Sequence, residues 1–349
     1  MTPAQLSDIV LRTVRQLVEA DELRVRVPER VVVQAPPRPG AGDYATNVAL
    51  RLAQESPSGA REIAEVLRRR LVGADGVARV DVAGPGFLNI TLDAACHGRL
   101  VRAILDQGAG YGWVCAVSGT PGGPARVPGE GDSAAVFLRS ASGSEGEDAE
   151  PRAALVREVL ARLSRVRGHA PRRPPLLRPA GMTGEGLLRL LGPDAARWAL
   201  LGTPLAEPPR LDPGALLAQR ETNPLFRVRY AHARTRALLR NARDLGVPEE
   251  PEAAYGYPHP AETGLLTLLG DVPRVLDAAA LRSAPDRLAR HLEAVADAFF
   301  RFHDTCLLLP RGEQKPLAAH RSRLALAEAA GTVLGSGLRL LGIEAPDHL

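Results

Sequence analysis

Four arginines, Arg227, Arg229, Arg234 and Arg236, fall within ten residues, and Tyr230 and His232 stand among them. A guanidinium fork pairs bidentately with phosphate, so the segment suits a polyanion. On one helix Arg227, Tyr230 and Arg234 share a face at spacings of three and four, with Arg229 and Arg236 on another. Tyr230 and His232 serve either base stacking or the packing of a helical core. The remaining arrangements point to less chemistry. The eight histidines make no HxxxH pair with metal spacing. Cys96, Cys115 and Cys306 form no CxxC, and so sparse a set suits a reducing compartment. Ser140 and Ser142 have no adjacent histidine base. The Gly-rich stretch 119–131 follows no clear strand and ends in no GK[ST], which argues against a phosphate loop. The acidic run Glu145, Glu147, Asp148, Glu150 reads as a solvated loop, or as a tether competing with RNA for basic surface.

These residues must be positioned by a chain of 349 residues, 45% hydrophobic but only 4% aromatic, so the core is Leu, Val and Ala. Lys315 is the lone lysine and the net charge is +4. Arginine in place of lysine reads first as coding bias, and the charge alone says little about nucleic acid. No signal-peptide pattern and no apolar run near ~18 residues is present. Periodicity predicts an α+β module over 1–113. Its helices are expected at 5–18, 45–54, 60–71 (with Ser58 as N-cap) and 94–107, stopped by Gly108. Its strands are expected at 25–34, 77–82 and 87–92, the last two joined by Gly84-Pro85-Gly86. Gly, Pro and Ser crowd most of 114–150, which reads as linker around one short strand, 134–138. A helix over 152–167 follows, with Leu155, Val156, Val159, Leu160 and Leu163 on one face. Four prolines in 170–179 break it. Residues 183–349 read as nearly all helix: 216–245, bent near Pro224, then 287–306 and 320–341, with a loop at 248–260.

Six segments carry a resemblance to one family. Asn223-Pro224-Leu225-Phe226, followed by Tyr230-Ala231-His232-Ala233-Arg234, is similar to the signature opening the anticodon-binding bundle of arginyl-tRNA synthetases. Gly192-Pro193-Asp194-Ala195-Ala196-Arg197-Trp198 resembles the segment after that family's second ATP-site motif. The run from Ala298 to Cys306 resembles a later bundle helix, and Gly337 to Pro346 the family's closing segment. In the N-terminal module, Gly42 to Ala49 and Gly84-Pro85-Gly86-Phe87-Leu88-Asn89 resemble a loop and a strand of the family's added domain. That domain grips the tRNA elbow. The resemblance assigns elbow contact to Tyr44, Asn47, Phe87 and Asn89, with an aromatic face stacking on a splayed base and an amide reading its edge. Phe87 as core and Asn89 as a turn cap is the other reading. To the anticodon arm it assigns Arg227, Arg229, Tyr230, His232 and Arg234. Arg227 and Arg229 depart from the family's Tyr and Gln, which disfavours base reading and favours phosphate contact.

The family's catalytic centre has no counterpart. Its first motif places two histidines near a helix N-terminus, between 138 and 152 here, where the sequence offers carboxylates and no histidine. Its second motif is a lysine-rich loop just before Thr183, where Arg178-Pro179-Ala180-Gly181-Met182 stands. The 65 residues from Ser118 to Met182 are too few for a nucleotide-binding fold with an amino-acid pocket. The expectation is an N-terminal tRNA-binding domain (1–113), a linker with a short α/β remnant of a Rossmann-type catalytic domain (114–182), and an all-α DALR-type anticodon-binding bundle (183–349). Implied is a cytoplasmic, non-catalytic binder of tRNA, arginine tRNA included, with no catalytic residue, cofactor, metal or membrane. The alternatives are arginine–tRNA ligase activity, and a protein-interaction role with a full-length synthetase, a metabolic enzyme or a second copy.

Overall fold

The computed structural model describes residues 1–34, 36, 41–113, 150–170, 172, 174, 176–252 and 255–349. Helix α1 (Pro3–Glu19) opens on a capping box: Gln5 N–H donates to Thr2 Oγ1 at 3.3 Å and Thr2 N–H to Gln5 Oε1 at 2.8 Å. Leu6, Val10, Val14 and Leu17 form its buried stripe. Strands β1 (Val33–Gln34), β2 (Tyr44–Thr46), β3 (Val77–Ala83) and β4 (Phe87–Leu92) make one antiparallel sheet in the order β1-β2-β4-β3. Helices α2 (Val48–Leu52) and α3 (Ala60–Leu71) pack with α1 over one face, around Leu88, Ile90 and Leu92.

Several expected boundaries shift. The strand expected over 25–34 shrinks to Val33–Gln34, because only those residues find partners, Thr46 and Ala45. The helix expected over 45–54 begins instead as strand β2, since Tyr44, Ala45 and Thr46 are captured by β4. Three residues are too few to show a period in sequence. Gly59, not Ser58, caps α3.

Helix α4 (Ala94–Gln107) ends at Gly108, whose φ of 52° lies in the left-handed region that favours glycine. It joins the two halves of the molecule: Cys96 lies in the sheet's core, while Leu100, Val101 and Ile104 belong to the helical core. Tyr111 Oη donates to Leu269 O at 3.2 Å, and Ser336 Oγ to Ala109 O at 2.8 Å.

The helical body comprises α5 (Pro151–Val166), α6 (Gly184–Gly202, kinked at Gly192), α7 (Pro213–Leu216), α8 (Pro224–Asp244), α9 (Pro260–Leu281), α10 (Asp286–Thr305) and α11 (Ala318–Leu340). The single bent helix expected over 216–245 is two. Residues 217–223 leave the helix, and Pro224 starts α8 at its first position behind the N-cap Asn223, whose Oδ1 accepts from Leu225 N–H at 3.1 Å. Helix α5 is welded into this body. Glu150, last of the acidic run, accepts from Ala153 N–H at 2.7 Å and Ala180 N–H at 2.6 Å, so it is a helix cap and not a solvated side chain. Arg152, fully buried, donates to the carbonyls of Leu200, Arg178, Glu207, Thr203 and Pro204. Strand 134–138, the Gly-rich stretch, Ser140, Ser142 and the rest of the acidic run lie outside the described residues.

Candidate nucleic-acid interface

Alternation along β4 sends Leu88, Ile90 and Leu92 inward and leaves Phe87, Asn89 and Thr91 on the opposite face. Phe87 is 42% exposed, so it is not a core side chain; Asn89 is half-buried beside Ala45 and Asp81. Gly86, at φ 141°, lets the turn before Phe87 approach α3 closely, since a Cβ there would stand 2.9 Å from Ala60 O. Arg61 of α3, an exposed cation, donates to Gly84 O at 3.4 Å, in the turn that leads into Phe87. The sequence reading missed Arg61, because nothing in its spacing ties it to Phe87. Asn47 caps α2, is exposed and makes no capping side-chain hydrogen bond.

Tyr44 departs from expectation. It is 3% exposed, with its hydroxyl against the position of Gly270 on α9, and burial, then Asp43 beside it, pushes its phenol above the ordinary range. It is a contact between the two halves of the molecule, closed to RNA in this conformation.

The α8 residues are also largely committed. Arg227 pairs with Asp297 of α10 and donates to Glu221 O at 3.3 Å. Arg229 Nη1 lies 3.5 Å from Asp194 Oδ2 on α6. Burial raises the Asp194 carboxyl above its usual range, against the Glu344 N–H and Arg229, which lower it. Tyr230 is the middle rung of a ladder of three half-buried rings, stacked on Phe226 (centroids 5.7 Å, 8°) and on Phe300 (5.6 Å, 25°). His232 is core, 4% exposed, with Nδ1 2.9 Å from Pro346 O; burial holds its imidazole below the ordinary value. Arg234 is exposed and has no ion pair among the described residues. Thus Arg227, Tyr230 and Arg234 share a face by their spacing, but among the described residues Arg227 is paired and Tyr230 stacked, and Arg234 has no ion pair. The sequence reading missed Asp194, Asp297 and the ring of Phe300, which come from other helices and carry no local signal; Phe226 is on α8 itself, one turn before Tyr230.

A cleft of about 280 Å³ adjoins this face, lined by Asp194, Asn223, Phe226 and Arg229 among others. A larger groove, about 790 Å³ between α1 and α4, holds none of the expected site residues. Among the described residues no group of His, Cys, Asp or Glu could hold a metal ion, and no helix is long and apolar enough to cross a membrane.

Two segments of the chain match family models of known proteins. Residues 4–92 match the family model of the arginyl tRNA synthetase N terminal domain, and residues 228–349 that of the DALR anticodon binding domain. The arginine–tRNA ligase of Frankia alni is 27% identical over 552 aligned positions, and that of Paenarthrobacter aurescens 26% over 549, each alignment reaching across the whole of both chains. With 349 residues, the present chain fills fewer than two thirds of those positions. In fold it is similar to the arginyl-tRNA synthetase of Thermus thermophilus (TM-score 0.63, 16% identity, 100% of each chain). It is also similar in fold to that of Plasmodium falciparum (TM-score 0.60, 10% identity, 99% of each chain). The chain therefore belongs to the arginyl-tRNA synthetase family, as a shortened member that keeps the N-terminal domain and the DALR domain on either side of a contracted middle.

Proposed function

We propose that this chain is a non-catalytic tRNA-binding protein, derived from the synthetase but unable to form aminoacyl-tRNA by itself. The observation that carries the reading is the exposed Phe87 beside Asn89 on the open sheet face, within the domain that matches the family model. A solvent-exposed ring offers a stacking platform to an unpaired base, and an amide can read the edge of that base. Asn47 lies in the same domain, and Arg61 is an exposed cation available to phosphate. Three widely spaced cysteines suit a reducing cytoplasm.

Loss of catalysis rests on chemistry and space. No histidine stands in 139–151 and no lysine before Thr183, so neither group that would steady ATP phosphates in the transition state is present. The helix after the first of these positions, α5, is locked to α6 by the saturated Arg152, inside the bundle's own core. Filter binding with total tRNA at two salt concentrations should show binding that weakens steeply with salt. Phe87→Ala should lose about tenfold in affinity, the scale of one lost stack. Arginine-dependent ATP–pyrophosphate exchange should give no signal. Absence of binding at low salt, or an unchanged Phe87→Ala, would refute the tRNA reading, and an exchange signal would restore the ligase alternative.

A further inference from the structure

The charge on α8 is answered from within the chain. Of its six arginines, four pair with carboxylates from four separate places. Arg227 meets Asp297 of α10, and Arg229 meets Asp194 of α6. Arg236 Nε lies 3.2 Å from Asp347 near the C-terminus, and Arg243 Nε 3.5 Å from Glu249 of the following loop. Arg240 donates to Asp347 O at 3.4 Å. Between these pairs, Tyr230 has Phe226 and Phe300 stacked against it, and His232 is buried under Pro346. A guanidinium already paired with a carboxylate must give it up before it can take a phosphate, and a ring already stacked must be unstacked before it can take a base.

We propose that Asp194, Asp297, Glu249 and Asp347 occupy the places RNA phosphates would take on α8, so that the bundle is closed to the anticodon arm. The chain then holds tRNA through the sheet of its N-terminal domain and does not distinguish tRNAs by anticodon. This rests on the tRNA-binding reading above and adds which part of the tRNA is held. The contrast between the two surfaces carries it: Phe87 is open to solvent, whereas four of the five α8 residues with the matching chemistry are engaged.

The test uses fluorescence anisotropy with two tRNA transcripts identical except for the anticodon, one of them an arginine anticodon, and with an isolated anticodon stem-loop. Wild-type chain should bind the two tRNAs within twofold of one another and the stem-loop undetectably. Asp194→Asn/Asp297→Asn, which releases two arginines, should gain stem-loop binding, and its log affinity for tRNA should fall more steeply with log salt, by about 0.7–0.9 per arginine released. A tenfold or greater wild-type preference for the arginine anticodon would overturn the proposal, as would a double variant that gains nothing. Should the double variant fold poorly, Arg227→Ala decides: its tRNA affinity should equal wild type, and a several-fold loss overturns the masking. Absence of wild-type binding to either tRNA would refute the underlying reading. Masking would then stand only if the double variant acquires stem-loop binding, and would fall if it does not.

Discussion

Arg152 shows what one side chain does in this molecule. It is the second residue of α5 and fully buried, yet among the described residues no carboxylate touches it; its five donated hydrogen bonds end on the backbone carbonyls of Arg178 ahead of α6, Leu200 in its last turn, and Thr203, Pro204 and Glu207 beyond it. The carbonyls of Leu200 and Thr203 lie at the C-terminal end of α6, where no N–H of the helix itself reaches them, and a cation is favoured there. Burial lowers the Arg152 pKa, with Glu150 and Asp286 opposing. Removing the guanidinium would orphan several buried acceptors at once. Arg152→Met should cost about 3–5 kcal/mol in a urea titration. Arg152→Lys should recover less than half of that, because an ammonium has three donors and no planar fork. A loss under about 1 kcal/mol for Arg152→Met would show that water replaces the guanidinium. Nothing in the spacing of Arg152 separates it from the other arginines of α5, since its partners are brought up by tertiary structure.

Among the elements, α11 sets the architecture of the bundle through its small residues. Gly331 and Gly335 lie one turn apart and face Thr235 and His232 of α8. A Cβ at Gly331 would collide with Thr235 Oγ1, and one at Gly335 would stand 2.9 Å from His232 Nε2. The two helices therefore approach as closely as backbone and side chain allow, which is what buries His232. Gly331→Val should destabilise the protein by about 1–3 kcal/mol, the range for overpacking a tight core. Gly264→Ala, in α9 with open space around it, should instead stabilise by up to about 1 kcal/mol through helix propensity. Thermal melts of the two variants moving in the same direction would contradict this packing account.

At the scale of the whole molecule, the two cores are fastened together by α4, by Tyr44 against α9 and by the contacts of Tyr111 and Ser336, so the open face of β4 is held on a body that also contains the helices matching the DALR domain. Three histidines of that body, His232, His291 and His320, are buried and held below the ordinary imidazole value, each by burial first. Their folded-state pKa is depressed, so the unfolded chain binds more protons. Stability is whole above about pH 6.5 and is lost as the pH falls below it toward the folded-state values. Burial of Asp194, Glu293 and Glu328 acts in the opposite sense at lower pH, where protonation relieves a cost of folding. Urea midpoints should therefore drop between pH 7.5 and 5.5, and His291→Phe should flatten that drop; a midpoint independent of pH would refute it. The sequence by itself determined much of this body. Helices α1, α3, α4, α5, α10 and α11 were legible within about two residues, because each writes a 3.6-residue apolar stripe between a cap and a breaker. The strand β4 was legible too, but the sequence left Phe87 open between core and surface, and the packing of Leu88 and Ile90 against the helices is what turns Phe87 and Asn89 to the opposite face. Tertiary structure alone decided that β2 is a strand, that Tyr44 and His232 are buried, and that the arginines of α8 are answered by Asp194, Asp297, Glu249 and Asp347. Local spacing reports which residues share a face of their own helix. Whether that face meets solvent, a ring or a carboxylate depends on residues distant in the chain, which only the packed fold brings to it.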